Sequence, residues 1–423
     1  MMGSRNSVAS RFLEHCPGTY IFKCVCHSLH LCASEACKEL PRGCETLARN
    51  VYKELKNSAK RQFHFQEFQT FLDIEVHKIL QHSQTRWLSL SSVVERILEQ
   101  WGALQLYFRE QMLTARLHAV EQIVQALENP IMKLFYLLVE WVLPKFTKLN
   151  ELFQSESVIL TNLYSRMTVT YQELLESYLC KSYVNQASLK DVDPSNEEQR
   201  LRPEQMYFGV KVVEMLSKPE IHSNERLEKD FQRTCVKFLV VGCSQIKQIF
   251  NFDDPVLQLV ANLKPTKAML RKTKSQRSEF AAVDADFASN CKVDVFWAQL
   301  LTCEEDDQGL TFKKLSKFAL DVISLPHANA DCERLFSQVN LIKTKKRNKS
   351  VTPTVNGILL AKQRVRGNCI SFQPSTKEYS RMTKSRMYSK KALTESGDKT
   401  IRHLYETQED QESDNDVIIP DDF

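Results

Sequence analysis

The stretch that most constrains the fold spans residues 325–365 and reads LPHANADCERLFSQVNLIKTKKRNKSVTPTVNGILLAKQRV. Its first half places Leu335, Val339 and Ile342 at the i, i+4 and i+7 spacing of one helix face. Its second half opens with Thr352, a favourable N-cap, and a proline follows at the first helical position. The stretch therefore predicts two helices joined by a basic bend, with apolar positions at Leu335, Phe336, Val339, Ile342, Val355, Ile358 and Leu359.

The composition of the whole chain is that of a globular protein with a helical bias. Hydrophobic residues make up 43% and charged residues 26% of the 423 positions, which allows a sizeable core. The chain has only 10 Gly and lacks the phosphate-binding patterns GxGxxG and GxxxxGK followed by Ser or Thr. The net charge of +5, from 57 basic and 52 acidic residues, is too balanced to indicate a nucleic-acid-binding protein by itself.

The 13 Cys residues indicate reduced thiols rather than a disulfide framework. Their number is odd, and the first fifteen residues (MMGSRNSVASRFLEH) contain no apolar signal-peptide core. The most apolar run, Ile131–Leu143, carries two charges and is too short to span a bilayer. The sequence therefore predicts a location in the cytosol or nucleus and no membrane partner.

Residues 1–45 are typical of a fragment of an α/β unit. Thr19–Cys26 (TYIFKCVC) is rich in β-branched and aromatic residues and follows a Cys-Pro-Gly turn, which predicts a buried strand. From His27 to Leu40 the apolar residues recur at helical spacing. A single strand needs partner strands for its backbone groups, and few convincing candidates occur elsewhere in the sequence.

The rest of the chain is predicted to be helical up to its polar tail. Residues 46–310 show amphipathic periodicity, with Pro130 and Pro144 as helix boundaries and Asn185–Arg202 as a loop. Lys264–Arg277 carries six basic residues and no acidic one, and we expect a loop or a frayed helix there. Residues 311–366 are again helical, and the tail at 367–423, acidic at its end, has too little apolar surface to fold alone.

Two blocks within the opening stretch resemble the carboxy-terminal dimerisation region of hAT-family transposases. They are Asn329–Ser337 (NADCERLFS) and Ile342–Asn348 (IKTKKRN). Upstream and in the family's order, Cys24-Val25-Cys26-His27 resembles its C-x-x-H motif, and Arg86-Trp87-Leu88-Ser89 resembles its R-W-x-S motif. The resemblance covers residues 1–366.

The resemblance implies a mainly α fold with a partial RNase H-like α/β core that is incomplete at its amino end. Residues 1–45 would be the remnant of that core, and residues 46–310 the helical insertion. Residues 311–366 would hold the final core helices and the dimerisation region, ahead of the tail at 367–423.

The same resemblance bears on catalysis, because such transposases use two Asp and one Glu to hold two divalent metal ions. Glu333 matches the family's catalytic Glu, whereas both Asp residues precede the C-x-x-H motif. The sequence begins at Met1-Met2-Gly3, which we expect to lie just inside the turn that the second Asp opens. A lone Glu offers too few oxygen ligands for two metals. We therefore expect no enzyme activity, cofactor or metal, and read Glu333 as a relic of the acidic triad.

Other candidate metal ligands have ordinary structural readings. The thiol cluster near the amino end could hold zinc, but Cys24-x-Cys26 is tighter than the usual spacing of zinc ligands, and small buried side chains are the simpler reading. The histidines at 64, 77 and 82 are expected to be scattered, half-buried or surface residues.

Two further partner classes stay open at this point. Nucleic acid could contact Trp87, whose ring could stack on a base; the alternative is that Trp87 anchors a helix. Nucleic acid could also contact the basic bend through Lys343, Lys345, Lys346 and Arg347; the alternative is a solvated loop. A SUMO-modified partner could bind Val417, Ile418 and Ile419, an aliphatic triplet among acidic residues. Lys384–Lys391 is a weak candidate for a nuclear-import signal.

The sequence thus predicts a transposase-derived, catalytically inactive nuclear protein that acts through dimerisation. Its expected partner is a second copy, or a related transposase-derived protein in a hetero-oligomer. The alternatives are a residual DNA-binding, transcription-associated protein and a gene fragment that folds poorly.

Overall fold

The computed structural model describes residues 7–81, 90–115, 118–155, 157–270, 291–302, 310–344, 347–365 and 372–380. The fold is mainly α, as the sequence predicted. The described helices are α1 Val8–His15, α2 Val25–Cys37, α3 Arg42–Lys56, α4 Ala59–Phe71, α5 Leu90–Glu99, α6 Trp101–Ala115, α7 His118–Glu128, α8 Pro130–Gln154, α9 Leu160–Glu176, α10 Lys181–Gln186, α11 Val210–Leu216, α12 Pro219–His222, α13 Glu225–Ile249, α14 Pro255–Val260, α15 Pro265–Leu270, α16 Val293–Thr302, α17 Leu310–Ile323, α18 Ala330–Ile342, α19 Thr352–Val365 and α20 Thr376–Tyr379.

The strand predicted at Thr19–Cys26 is wrong at its carboxyl end. Val25 and Cys26 open helix α2, and Thr19–Cys24 is a non-helical connection that forms no strand pairing with the described residues. Within the described residues the only β-type pairing is the isolated antiparallel bridge between Leu179 and Arg200. The β propensity of the segment is satisfied only when a neighbouring strand supplies hydrogen bonds, and none of the described residues does so.

The core is built around the two longest helices, α8 and α13, with α2 packed along both. Ala33 and Ala36 of α2 are fully buried, and a Cβ placed on Gly242 of α13 would lie 3.5 Å from the Ala36 Cβ. Small residues on both helices therefore let the two backbones approach closely. The buried residues of α2 therefore belong to the main hydrophobic core.

Pro144 does not end a helix, in contrast to the sequence prediction. Helix α8 runs from Pro130 to Gln154 with Pro144 inside it. Proline removes one backbone hydrogen bond from a helix, at a cost of about 3 kcal/mol. Val142, Leu143 and Phe146 on either side are buried, and their packing offsets that cost.

A second, smaller hydrophobic cluster lies where α16 packs on α17. Trp297 is buried there, and its indole Nε1–H donates a hydrogen bond of 2.8 Å to the Leu263 carbonyl oxygen. The other buried members of this cluster are Leu263, Phe296, Leu300, Ala319 and Ile323.

The chain divides into two compact units, at residues 1–336 and 337–423. In the second unit the longest described helix is α19, where Val355 is buried, and the Arg364 guanidinium lies 5.9 Å from the Phe372 ring centre. The tail from residue 381 onwards lies outside the described residues. None of the described helices combines the length and the hydrophobicity needed to cross a membrane.

Candidate interaction surface and thiol site

The predicted dimerisation residues on α18 include two large apolar side chains that face solvent. Leu335 and Phe336 are adjacent in sequence, and their side chains are 50% and 66% exposed. Three further apolar side chains are exposed as well: Leu341 on α18, Val351 just before α19, and Leu360 within α19. Val339, Ile358 and Leu359 are half-buried. Each helix therefore presents apolar surface that the single chain leaves uncovered.

Two of the predicted dimerisation residues need no second chain for their burial. Ile342 is 4% exposed and Val355 is 7% exposed within the single chain. Burial within the single chain accounts for their apolar character, so they are not candidates for direct dimer contacts.

Several other predicted site residues lie outside the described residues. These are Trp87, Lys345, Lys346 and the triplet Val417, Ile418 and Ile419. Of the predicted DNA-contact residues, Lys343 and Arg347 are described, and both are exposed.

Glu333 lies beside the C-x-x-H-like motif, which is far from it in the sequence. Ala328 packs against the main core, and the Arg334 guanidinium donates a 2.9 Å hydrogen bond to the Gln154 carbonyl at the end of α8. The Asn329 N–H donates to the Cys24 thiol sulfur, and the Glu333 carboxylate acts electrostatically on Cys26. The fold therefore brings together two motifs that the sequence analysis treated separately.

Cys24 is the one thiol in this neighbourhood with a lowered pKa. The largest cause is hydrogen bonding with the neighbouring Cys26 thiol, and hydrogen bonding with the backbone N–H groups of His27, Asn329 and Cys26 lowers the pKa of Cys24 further. Partial burial opposes these hydrogen bonds, and the net result is a pKa of about 5 for Cys24. The pKa of Cys26 is raised, because its proton is held in the hydrogen bond to Cys24 and because the thiol is partly buried. Cys24 occupies the N-cap of α2, where helix N–H groups favour a thiolate.

Cys24 should therefore alkylate at a lower pH in the folded chain than in the unfolded one. We expect the iodoacetamide rate at Cys24 to reach its plateau above about pH 6 in the folded protein. In urea the rate should rise through about pH 8.5, the ordinary thiol pKa. Peptide mass spectrometry of a pH series gives both profiles for the same residue. Coinciding folded and unfolded profiles would contradict the hydrogen-bonded thiolate.

Cys32 and Cys44 behave as buried apolar side chains. Burial raises the pKa of Cys32 and of Cys44 to about 12. Among the residues that the structure describes, the group whose ligand atoms could share a metal ion contains none of these cysteines and does not contain Glu333.

That group is Glu75, His77 and Glu99, which sequence reasoning missed. One ligand atom from each lies within 4.8 Å of the others. The His77 Nδ1 lies 2.9 Å from Glu99 Oε1, and its Nε2 lies 3.3 Å from Glu75 Oε1. The Arg96 Nε lies 3.0 Å from Glu99 Oε2. The imidazole is thus placed between two carboxylates, one of which already has a cationic partner. No local sequence pattern links His77 to Glu99, because a loop and a separate helix carry them.

A search against models of known protein families finds none that matches this chain. Assignment to a family therefore stays a prediction from the motifs.

Proposed function

We propose that the chain is a transposase-derived nuclear protein that does not cleave DNA and acts by dimerising through α18 and α19. The proposal combines the hAT-like blocks at 329–337 and 342–348 with the partial RNase H-like core that they imply. The observation that carries it is the exposure of Leu335 and Phe336 at adjacent positions of α18.

Solvent-exposed aromatic and aliphatic side chains favour association when they are clustered. Full burial of one such side chain contributes about 1.5–3 kcal/mol, and a twofold interface uses each contact twice. Association itself costs about 4–15 kcal/mol in lost motion. Leu335 and Phe336 from two copies supply enough apolar surface to offset a cost in that range.

The absence of cleavage is part of the proposal and rests on sequence. Within residues 1–423, Glu333 is the one position that matches the family's acidic triad, and a lone Glu offers too few oxygen ligands for two metal ions. In this proposal Glu333 is not a metal ligand; it is a residue of α18 next to the dimerisation surface.

The Phe336→Asp substitution should convert the dimer to a monomer. A buried, unpaired carboxylate in the centre of an apolar interface is strongly unfavourable, so we expect the dimer Kd to rise by at least about 100-fold. Sedimentation velocity over a range of micromolar concentrations measures this change.

The matched control is Phe63→Asp on α4, because Phe63 is also 66% exposed but lies outside the proposed surface. This variant should remain dimeric. A monomeric wild-type chain at about 10 µM, well above the Kd of a stable dimer, would reject the proposal, and so would equal dissociation of the two variants.

A further inference from the structure

The connection between α1 and α2 runs as an extended segment. The Tyr20 and Phe22 rings stack with centres 6.4 Å apart and an interplanar angle of 24°. Residues two apart share a face in a β-strand but not in a helix. Cys24 at the end of the segment has φ −58° and ψ 113°, which is also an extended conformation. The backbone at Tyr20–Cys24 is therefore arranged like a strand, although it pairs with none of the described residues.

The backbone polar groups in the middle of this segment lack partners. The Thr19 N–H donates to the Cys16 carbonyl at 3.2 Å, and the Cys24 carbonyl accepts from the Ser28 N–H at 3.1 Å. Between them, the N–H and C=O groups of Tyr20–Lys23 form no hydrogen bond with any part of the chain that the structure describes. An unpaired row of this kind is the edge to which an added strand binds.

A groove of about 510 Å³ lies between this segment and the carboxyl end of α13. One wall is formed by Tyr20, Ile21 and Phe22, and the opposite wall by Ile249, Phe250 and Phe252. Buried Leu29 and Cys32 of α2 also contribute to its lining. The groove therefore places apolar pockets directly beside the unpaired backbone.

The charges around the groove are predominantly positive. Lys23, Lys190 and Lys247 line it, and Asp254 is the one acidic residue in the lining. Asp254 accepts a 2.7 Å hydrogen bond from the Tyr20 hydroxyl, and Lys190 is paired with Asp253 at 2.5 Å. Among the described residues, no carboxylate lies within ion-pairing distance of Lys23 or Lys247. The Lys247 Nζ donates a 2.8 Å hydrogen bond to the Val192 carbonyl and keeps two further N–H groups for an acidic ligand. The exposed Lys23 ammonium can meet a second acid.

We propose that this groove binds an extended peptide of a partner protein, with apolar residues at alternate positions and acidic residues at its ends. The peptide adds as a strand to Tyr20–Lys23, its apolar side chains enter the groove, and its acids meet Lys23 and Lys247. Self-pairing of the same segment from a second copy is disfavoured, because it would bring like-charged grooves together. The inference is independent of the dimer surface on α18 and α19.

The test uses the full chain and a fluorescein-labelled decapeptide, DDVTVTVTDD. Fluorescence anisotropy should show saturable binding. A peptide of the same sequence with N-methyl groups at alternate positions should bind at least about tenfold more weakly, because it cannot complete the strand pairing. The Lys23→Glu variant should also weaken binding at least about tenfold through charge reversal.

Lys60→Glu provides the matched control, since Lys60 is an exposed lysine that does not line the groove. It should leave the affinity unchanged, and circular dichroism should confirm that both variants keep their helical content. The proposal is overturned by the absence of saturable binding. It is equally overturned if the N-methylated peptide binds as well as its parent, or if Lys23→Glu and Lys60→Glu give the same affinity.

Discussion

Replacing Gly209 with Ala is expected to lower the free energy of unfolding by about 3 kcal/mol or more, from backbone strain and overpacking together. Gly209 immediately precedes α11 and has φ 106° and ψ 149°. This backbone conformation is essentially restricted to glycine, and a residue with a Cβ pays about 1–3 kcal/mol to adopt it. The strain applies to any replacement, whatever space is available around the side chain.

Steric conflict adds to that strain. A Cβ at Gly209 would lie 2.8 Å from Cδ1 and Cγ of Trp141 on α8. The Trp141 ring also contacts the Tyr207 ring, with 5.9 Å between the two ring centres. On another side, the Lys145 ammonium lies 5.3 Å from the centre of the Trp141 ring. Displacing the indole would therefore disturb contacts on more than one side, and overpacking of this kind typically costs about 1–3 kcal/mol.

Urea denaturation followed by tryptophan fluorescence measures the effect, since Trp141 is itself at the site. The control is Gly357→Ala, because a Cβ at that position of α19 meets nothing within 4 Å. Alanine is favoured over glycine in a helix, so this variant should be neutral or more stable by up to about 1 kcal/mol. A Gly209→Ala variant within about 0.5 kcal/mol of the wild type, the usual range of harmless surface changes, would contradict the strained, closely packed glycine.

The Gln100→Leu substitution should cost about 2–4 kcal/mol, because it orphans buried polar groups. Gln69 and Gln100 are fully buried, and the Gln69 Nε2 donates to Gln100 Oε1 at 2.8 Å. The Gln100 Nε2 donates to the Glu75 carbonyl at 3.0 Å, and the Gln69 Nε2 donates to the His77 carbonyl at 2.9 Å. The two amides thus hold the non-helical loop that follows α4 by its backbone.

Loss of this pair should loosen the loop as well as lower overall stability. We expect faster hydrogen exchange at the Ile74 N–H, which donates to the Gln69 carbonyl at 2.9 Å. We also expect the ion-pair geometry of Glu75, His77 and Glu99 to be lost, since the loop carries two of these three residues. Chemical denaturation and exchange mass spectrometry report the two effects.

The control for this substitution is Gln66→Leu, which replaces an exposed glutamine of α4, the helix that carries Gln69. Its cost should stay within about 0.5 kcal/mol. The double variant Gln69→Leu with Gln100→Leu should cost less than the sum of the two single variants, because each single change already breaks the shared hydrogen bond. Strict additivity would show that the two amides act independently.

The sequence by itself determined the helical character of the chain and the approximate course of its helices. Apolar residues at helical spacing predicted α5, α9 and the pair α18 and α19, and Thr352 with its following proline marks the start of α19 as predicted. These features depend on residues within a few positions of each other, so local pattern is sufficient to define them. The hAT-like motifs were also visible in the sequence, and the function that they imply stays a prediction.

Only the tertiary structure decided where the chain follows its local helix and strand propensities and where packing overrides them. Pro144 stays inside α8 because buried neighbours hold the helix together, and Thr19–Cys24 forms no paired strand because none of the described residues supplies a partner. It also separated the apolar residues of the opening stretch, leaving Leu335 and Phe336 exposed while Ile342 and Val355 are buried. All four are hydrophobic and recur at helical positions, so the pattern cannot distinguish them. What differs is the presence or absence of side chains packed against each one, and that depends on residues distant in the sequence.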